Sequence, residues 1–232
     1  MNTLGIDIGG SALKGAPVDT KTGRLLAEQH RIETPGKLPP DGMARAVAAM
    51  VERFAWRGPV GVGFPGVVQD GVIRTAANLH KGFVGCDARK LFSKAAGVRV
   101  AVLNDADAAG LAEISFGAGR KKKGTVLLLT LGTGIGSALF VDGNLCPNTE
   151  LGHLRHKGKP WERFASGSAR ARNGWSLREW AGRLNDYLAE LRIFAYLNVF
   201  GGVGWDYSYF ALQVGAWGEL DLQLAYRYLI AS

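Results

Sequence analysis

Two glycine-rich segments of this 232-residue chain have the composition of phosphate-binding turns. The first is IDIGGSALKG (residues 6–15), and the second lies in LTLGTGIGSALF (residues 129–140). Glycine turns expose backbone N–H groups and let phosphate oxygens approach closely. We therefore expect a phosphate donor to bind at both turns, through Gly9, Gly10, Ser11, Lys14, Thr130, Gly132, Thr133 and Gly134. The alternative is a pair of ordinary β-hairpins, which glycine turns also form.

Asp7 precedes the first turn, and its carboxylate is a candidate ligand of Mg²⁺, either directly or through water. A dinucleotide-binding fingerprint is the rival interpretation of the second turn. It fails because the glycines of GTGIG alternate, and because the following SALFV favours a strand where that fingerprint requires a helix. The two turns therefore predict phosphate chemistry without a dinucleotide.

Other polar residues suit a sugar as the acceptor. Pairs of sugar hydroxyls are best bound by side chains with two polar atoms in one plane, and Asn78, Asn104 and Glu150 have such groups. Asp105 lies at a strand-to-helix junction, where an isolated Asp is usually a helix cap. His153 follows Glu150 by three positions in ELGH, but the segment has no third ligand and predicts no metal site.

Apolar periodicity predicts an α/β protein. The expected strands are 3–8, 11–18, 24–33, 60–68, 98–103, 125–131 and 135–141, and the expected helices are 41–54, a helix from Asn104 or Asp105 to Gly117, and 176–192. Each half begins with a strand, a glycine turn and a strand, and GSAL occurs at both 10–13 and 136–139. This pattern suggests two copies of one α/β unit that face each other across a cleft.

The charge and composition narrow the class of partner. The net charge of +8 favours an anionic partner, and the run Arg120-Lys-Lys-Lys123 is either a binding strip for a polyanion or a solvated loop. Two cysteines without metal spacing predict neither disulfides nor a zinc cluster. No apolar stretch approaches the roughly 20 residues of a membrane helix, and the start lacks a signal-peptide pattern. We expect a cytoplasmic protein that does not bind membranes.

Six segments, in order, resemble the ROK family of sugar kinases, in particular its polyphosphate glucokinase branch. They are IDIGGSALKG, GVGFPGVV, TAANLHKG, LNDADAAGLAE, LTLGTGIGSALF and NTELGHL, and the resemblance runs from about residue 4 to 190. It implies the actin-like, hexokinase-like ATPase fold, which is ribonuclease H-like, with two duplicated lobes around a cleft. We place the lobes at residues 1–105 and 106–232.

The resemblance also assigns roles to residues. It makes Asp105 the general base that accepts the proton of the sugar 6-hydroxyl, and it places Glu150, His153 and Glu162 against the sugar. Gly66 and Asn78 match positions that line the glucose pocket. Many relatives bind structural zinc through cysteines between this His and the last Glu. The corresponding HLRHKGKPWERFAS has no cysteine, so we expect Mg²⁺ but no zinc.

The expected activity is transfer of the terminal phosphoryl group of inorganic polyphosphate, with ATP as a second donor, to the 6-hydroxyl of glucose. The alternatives are an ATP-preferring glucokinase or mannokinase, or a non-catalytic sugar-binding relative with a damaged tail. The resemblance frays after about residue 192, where Gly201-Gly202 match the remnant of a glycine turn that faces adenosine in ATP-using relatives. A homodimer is expected, and a nucleic-acid partner is not.

Overall fold

The computed structural model describes residues 2–34, 36–199 and 209–213, and the chain divides into two compact units, Met1–Arg120 and Lys121–Ser232. Each unit has its own sheet and is described separately. The division falls later than the predicted lobe boundary at residue 105, because the helix Asp105–Phe116 packs on the sheet of the first unit. The predicted cleft concerns the placement of one unit against the other and stays a prediction.

The first unit is a five-stranded sheet with helices. Its elements are β1 (Asn2–Ile8), β2 (Ala12–Asp19), β3 (His30–Glu33), α1 (Pro40–Arg53), β4 (Val60–Phe64), β5 (Val68–Gln69), β6 (Val72–Ile73), a 3₁₀ turn (Lys81–Phe83), α2 (Ala88–Ala96), β7 (Val100–Asn104) and α3 (Asp105–Phe116). The strand order is β3-β2-β1-β4-β7. Neighbours among β1, β2 and β3 are antiparallel, whereas β4 is parallel to both β1 and β7.

The first three predicted strands form an antiparallel meander, but the third strand is shorter than expected. It begins at His30 and not at residue 24. The apolar residues of the intervening segment, Leu25 and Leu26, are 59% and 50% exposed, and Leu25 forms only an isolated bridge with Val18. Since these side chains find no apolar face to cover, the pattern there does not become a strand.

Strand alternation gives the first sheet one apolar face. Leu4, Ile6, Val60, Val62 and Val102 point to this face and are buried. They share a core with four buried residues of α1, Met43, Val47, Met50 and Val51. Each such side chain contributes about 1.5–3 kcal/mol when it leaves water. The residues between them in sequence, including Asp7 and Gly63, belong to the opposite face.

The second unit contains a four-stranded sheet of order β10-β9-β8-β13. Its elements are β8 (Thr125–Leu131), β9 (Ile135–Val141), β10 (Asn144–Cys146), a 3₁₀ turn (Leu151–His153), β11 (Arg155–His156), β12 (Lys159–Pro160), α4 (Glu162–Ala165), α5 (Gly167–Asn173), α6 (Leu177–Val199) and β13 (Tyr209–Gln213). The predicted strands 125–131 and 135–141 are confirmed. The predicted helix 176–192 is also confirmed and continues to Val199.

A second apolar core joins this sheet to α6. Leu129 and Leu131 of β8 share it with Trp180 and Tyr187 of α6. The indole N–H of Trp180 also donates a 2.8 Å hydrogen bond to the Ala165 carbonyl at the end of α4. Although α6 is long, no helix among the residues described is both long and apolar enough to cross a bilayer.

The repeated letters GSAL do not occupy equivalent positions in the two hairpins. Gly10 and Ser11 lie in the turn between β1 and β2, whereas Gly136 and Ser137 lie inside strand β9. What the two units share is a strand, a glycine turn and an antiparallel strand. The sequence prediction of a repeated hairpin is confirmed, but the letter match that suggested it is not its cause.

The junction between β7 and α3 is held by Asn104, which is 5% exposed. Its side-chain oxygen accepts the Asp107 backbone N–H at 3.0 Å and caps α3. Its side-chain amide donates to the Gly66 carbonyl at 3.1 Å. Both choices of cap were open from sequence, and the structure assigns the cap to Asn104 and the first helical position to Asp105.

Removal of this side chain tests how far the junction stabilises the first unit. We expect Asn104→Ala to lower the free energy of unfolding by about 1–3 kcal/mol, because it removes a helix cap and deprives the Gly66 carbonyl of its donor. Asn104→Ser should lose less, since Ser caps helices well but is too short to reach Gly66. Urea unfolding followed by circular dichroism measures both. Equal stability of Asn104→Ala and the parent protein would contradict the assignment.

Candidate active site

The first glycine turn, residues 9–11, connects β1 to β2. It is closed by a 2.9 Å hydrogen bond from the Gly9 N–H to the Ala12 carbonyl, and the Ser11 carbonyl accepts the N–H of buried Thr34 at 2.8 Å. Around Gly10, the direction that a side chain would take is open for 4 Å. The turn is therefore anchored on its inner side, and its outer side can be approached by a bulky anion.

Asp7 and Lys14 are opposite each other on β1 and β2, directly before and after this turn. The Asp7 carboxyl reaches the surface, but surrounding protein atoms displace much of its water, and this desolvation raises its pKa. The positive charge of Lys14 opposes the shift and lowers the pKa. A carboxylate beside an open glycine turn fits Mg²⁺, which takes one or two carboxylates and completes its shell with water and phosphate oxygens.

Asp105 is exposed at the first position of α3, where its Oδ1 accepts the Ala106 backbone N–H at 2.8 Å. Because Asn104 performs the capping, the usual structural role of an Asp at this position is already filled. An exposed carboxylate at a strand end is suited to accept a proton from a bound hydroxyl.

Gly66 and Asn78 differ in their surroundings. A methyl group on Gly66 would collide with the Thr75 carbonyl, so packing alone requires glycine there. Asn78 is exposed in the segment before the 3₁₀ turn Lys81–Phe83, and His80 accepts the Gly82 N–H at 3.0 Å to cap that turn. The structure therefore brings Gly66 into contact with Asn104 and presents Asn78 to solvent.

In the second unit, Glu150, His153 and Glu162 lie close together. His153 Nδ1 lies 3.4 Å from Glu150 Oε2, and its Nε2 lies 3.8 Å from Glu162 Oε2. Both carboxylates are 28% exposed, and the histidine is half exposed. Two carboxylates and an imidazole with accessible edges make a surface that can accept hydrogen bonds from several hydroxyl groups.

This cluster is positioned by residues that the sequence analysis missed. Ser137 Oγ, which is buried on β9, accepts the Leu151 N–H at 2.9 Å and lies 2.8 Å from Thr149 Oγ1. A methyl group on Gly152 would collide with the Ile135 carbonyl, so the 3₁₀ turn rests directly on β9. Ser137 was visible only as a strand residue, because its partners lie more than ten positions away in sequence.

Glu150 itself adopts a left-handed backbone conformation, with φ of 44°. A non-glycine residue in this region costs of order 1 kcal/mol and is held there by its surroundings. The Ser137 bonds to Thr149 and Leu151 supply such support on both sides of Glu150.

The second glycine turn, residues 132–134, lies beside the same cluster. Its Gly132 N–H donates to the Gly134 carbonyl at 3.1 Å, and the Gly132 carbonyl accepts the Ser168 N–H at the start of α5. A methyl group on Gly134 would collide with Glu162 Oε2. Thr133 is exposed in the turn, and Thr130 pairs with Gly136 next to it. The turn and the carboxylate of Glu162 are therefore immediate neighbours.

Trp161, which directly precedes Glu162, is buried and does not present its ring to a ligand. Trp161 is 2% exposed, stacks on His156 at 3.9 Å between ring centroids, and donates from its indole N–H to Glu190 Oε2 at 2.9 Å. Trp180 is also a core residue. Glu190 of α6 contacts both Trp161 and His156, the latter at 3.2 Å. These contacts fix the chain directly before Glu162.

The predicted donor-binding residues Gly201 and Gly202 lie outside the described residues. Within the described part of the chain, no group of three His, Cys, Asp or Glu side chains could hold a metal ion. Mg²⁺ on a single carboxylate needs no such group, and the expected lack of zinc stays a prediction.

Known proteins with similar sequences and structures place these residues in a family. The chain is 49% identical over 179 residues to the polyphosphate glucokinase of Mycobacterium tuberculosis, which covers 77% of this chain and 68% of that protein. The structure of this chain is similar to that of the inorganic polyphosphate/ATP-glucomannokinase from Arthrobacter sp. strain KM, with a TM-score of 0.79 and 46% identity. The similarity covers 83% of this chain and 79% of the other.

A second solved structure, the ROK family glucokinase from Streptomyces griseus in complex with glucose and AMPPNP, has a TM-score of 0.63 and 31% identity. That similarity covers 74% of this chain and 59% of the other. The fold is therefore the actin-like, hexokinase-like ATPase fold of these sugar kinases, as predicted. The model of the ROK family matches residues 3–172. Most of the chain, including both glycine turns and the Glu150–His153–Glu162 cluster, thus lies within the matched region, and the chain belongs to the ROK family.

Proposed function

We propose that this protein is a polyphosphate-dependent glucokinase, which transfers the terminal phosphoryl group of inorganic polyphosphate to the 6-hydroxyl of glucose. The observation that carries this proposal is the exposed carboxylate of Asp105 at the first position of α3, next to the Asn104 side chain that caps this helix. The names of the relatives from Mycobacterium tuberculosis and Arthrobacter support polyphosphate as the donor.

In the proposed reaction, Glu150, His153 and Glu162 bind the sugar hydroxyls, with further contacts from Asn78, Asn104 and Gly66. Asp105 accepts the 6-hydroxyl proton as the sugar oxygen bonds to the terminal phosphorus. The bond from that phosphorus to the next bridging oxygen breaks, and the shortened polyphosphate leaves. Since the transition state of phosphoryl transfer is loose, the base chiefly orients the hydroxyl and takes its proton late.

The donor phosphates bind at the two glycine turns, with Lys14 as a positive charge and Thr130 and Thr133 as hydroxyl donors. When bound at Asp7, Mg²⁺ neutralises phosphate charge and orients the terminal group. The basic run from Arg120 to Lys123 binds more distant phosphates of a long polyanion. Polyphosphate has no base to recognise, so this mode of binding does not depend on the predicted adenosine-facing turn at Gly201-Gly202.

A second candidate is an ATP-preferring glucokinase or mannokinase, because the relative from Arthrobacter is described as a polyphosphate/ATP-glucomannokinase. A coupled assay for glucose 6-phosphate with each donor separates the two, since absence of turnover with polyphosphate excludes the first. A non-catalytic sugar-binding protein would bind glucose in calorimetry and yield no product with either donor. A homodimer belongs to the proposal and is measured by analytical ultracentrifugation.

Asp105→Asn tests the proposed base. We expect kcat to fall by about 10²–10⁴-fold, which is the usual contribution of a general base, while the Kd for glucose changes less than about threefold. The matched control is Asp41→Asn, which makes the same charge change in the first turn of α1. Steady-state kinetics and calorimetry measure the two quantities. If Asp105→Asn kept a substantial part of the activity, Asp105 would not be the base.

The raised pKa of Asp7 predicts a pH dependence. Its ionised form is disfavoured by desolvation in the folded protein, so activity that needs the carboxylate falls off at a higher pH than an ordinary Asp would allow. Lys14→Met removes the opposing charge and should move this acid limb further up in pH. The pH profile of kcat/KM measures the shift, and an acid limb at the same pH in both proteins would refute this origin.

The free energy of unfolding gives a second, independent test of the raised pKa of Asp7. A carboxyl whose pKa is raised on folding destabilises the protein above that pKa and not below the unfolded value of 3.8. Asp7→Asn should therefore be more stable than the parent protein at pH 7, with a difference that vanishes as the pH falls towards 3.8. Urea unfolding at a series of pH values measures it.

Salt dependence tests the basic run. Neutralising three of its residues should raise the KM for long-chain polyphosphate and flatten its dependence on salt, because fewer counterions are released on binding. The test variant is the triple substitution of Arg120, Lys121 and Lys123 to Gln. The expected value of kcat is that of the parent protein.

The control removes the same amount of positive charge from the first unit, at a site away from this run. It is the triple substitution of Arg89, Lys90 and Lys94, which are exposed on α2, to Gln. Equal effects of the two triple variants on the KM for polyphosphate would show that only the total charge matters, and would remove the specific role of the run from Arg120 to Lys123.

A further inference from the structure

Gly63 lies between the two carboxylates of the first unit. On β4 it pairs with Asp7 of β1 on one side and with Leu103 of β7 on the other. The next pair along β7 places Asn104 beside Phe64, so Asp105 follows directly at the same edge of the sheet. Three parallel strands thus bring Asp7, Gly63 and Asp105 together in that order.

The distances show how close this arrangement is. A methyl group built on Gly63 would lie 3.5 Å from Asp105 Cα, 3.7 Å from Asp105 Cβ and 3.9 Å from Asp7 Oδ1. These are ordinary van der Waals separations, so an alanine at this position fits without a clash. The packing of the protein itself therefore does not require a glycine.

The backbone does not require one either. Gly63 is not among the glycines with positive φ, and it lies within a regular strand paired on both sides. Glycine inside a strand costs stability, because it loses more conformational freedom on folding than alanine. In contrast, packing requires a glycine at position 66, just after this strand, since a methyl group there would collide with the Thr75 carbonyl.

We propose that Gly63 is a positioning residue, whose missing side chain keeps the space beside Asp7 and Asp105 open for the 6-hydroxymethyl group of the sugar and the phosphoryl group that it receives. The proposal rests on the proposed function. A carboxylate that accepts the hydroxyl proton and a carboxylate that holds a phosphate-bound cation must both reach the reacting atoms. A side chain between them would occupy the volume through which those atoms approach each other.

The size of the effect follows from the need for close alignment. In-line transfer requires reacting atoms about 3–3.5 Å apart, and a displacement of about 1 Å can cost about 100-fold in rate. A methyl group projects about 1.5 Å from the backbone. We expect Gly63→Ala to lower kcat by about 10–100-fold, with the Kd for glucose changed less than about threefold, because the Glu150–His153–Glu162 cluster is untouched.

Gly61→Ala is the matched control. Gly61 lies on the same strand and the same face, two residues earlier, and pairs with Gly5 and Ala101. A methyl group on Gly61 would meet only Thr3 Cγ2, at 3.9 Å. Both substitutions make the same change of residue in one strand. Both variants should unfold at the same or higher urea concentration than the parent protein, and only Gly63→Ala should lose turnover.

The experiment measures kcat and KM for glucose and polyphosphate, urea unfolding, and calorimetric binding of magnesium tripolyphosphate in the absence of glucose. A fall in kcat for a fully folded Gly63→Ala, with Gly61→Ala unchanged, supports the proposal. Equal kcat in both variants and the parent protein overturns it and leaves the proposed function intact. A loss of stability in Gly63→Ala that matches its loss of activity also overturns it, because the glycine would then be structural.

Calorimetry distinguishes a failure of this inference about Gly63 from a failure of the proposed function. A parent protein that shows no turnover with any donor overturns the proposed function. The inference is then decided by the affinity for magnesium tripolyphosphate. Weaker binding by at least tenfold in Gly63→Ala than in Gly61→Ala supports the open space, and equal binding overturns it.

Discussion

The parallel pairing of β1, β4 and β7 is the constraint on which the candidate chemistry of the first unit depends. Because the carboxyl ends of these strands lie at one edge of the sheet, Asp7, Gly63 and Asp105 become neighbours although they are far apart in sequence. The alternation of each strand buries its apolar residues on the other face. A shift of one residue in this register would turn Asp7 into the core and Ile6 or Ile8 out of it.

The Asn104 side chain stabilises the junction between β7 and α3 at this edge of the sheet. It caps α3 and binds the Gly66 carbonyl, so it satisfies two backbone groups of the junction at once. The adjacent Asp105 bonds the next backbone N–H of α3 through Oδ1, and its carboxyl group is exposed at the junction. A buried cap and an exposed candidate base thus follow each other at one strand-to-helix junction.

The second unit positions its polar groups by a different physical device. Its Glu150–His153–Glu162 cluster comes from a 3₁₀ turn with its preceding residue and from the start of the short helix α4, and not from strand ends. These segments have no sheet register, so each is fixed by individual contacts. Ser137 holds the chain on both sides of Glu150, and Glu190 holds Trp161 directly before Glu162. The glycines at 134 and 152 allow these segments to approach β9 and the Glu162 carboxylate closely.

The sequence by itself determined the elements with strong apolar patterns and the types of residue that do the chemistry. The strands 125–131 and 135–141 and the helix α1 follow from local periodicity, and local periodicity survives folding when each apolar face finds a partner. Residues 24–29 show the limit, because Leu25 and Leu26 have no face to cover. The glycine turns and the acidic residues could be predicted from the sequence, because few other residue types replace glycine in a tight turn or supply a carboxylate.

Only the tertiary structure decided which of these residues are structural and which are available. Asn104 and Asp105 both make good caps, and the contact of Asn104 with Gly66, 38 positions earlier, selects between them. Trp161 is buried by Glu190 and His156, and Ser137 becomes a support through Leu151. These roles depend on contacts between residues distant in sequence. Such contacts leave no local pattern, since any serine, asparagine or tryptophan makes the same local signal whether or not its partner arrives.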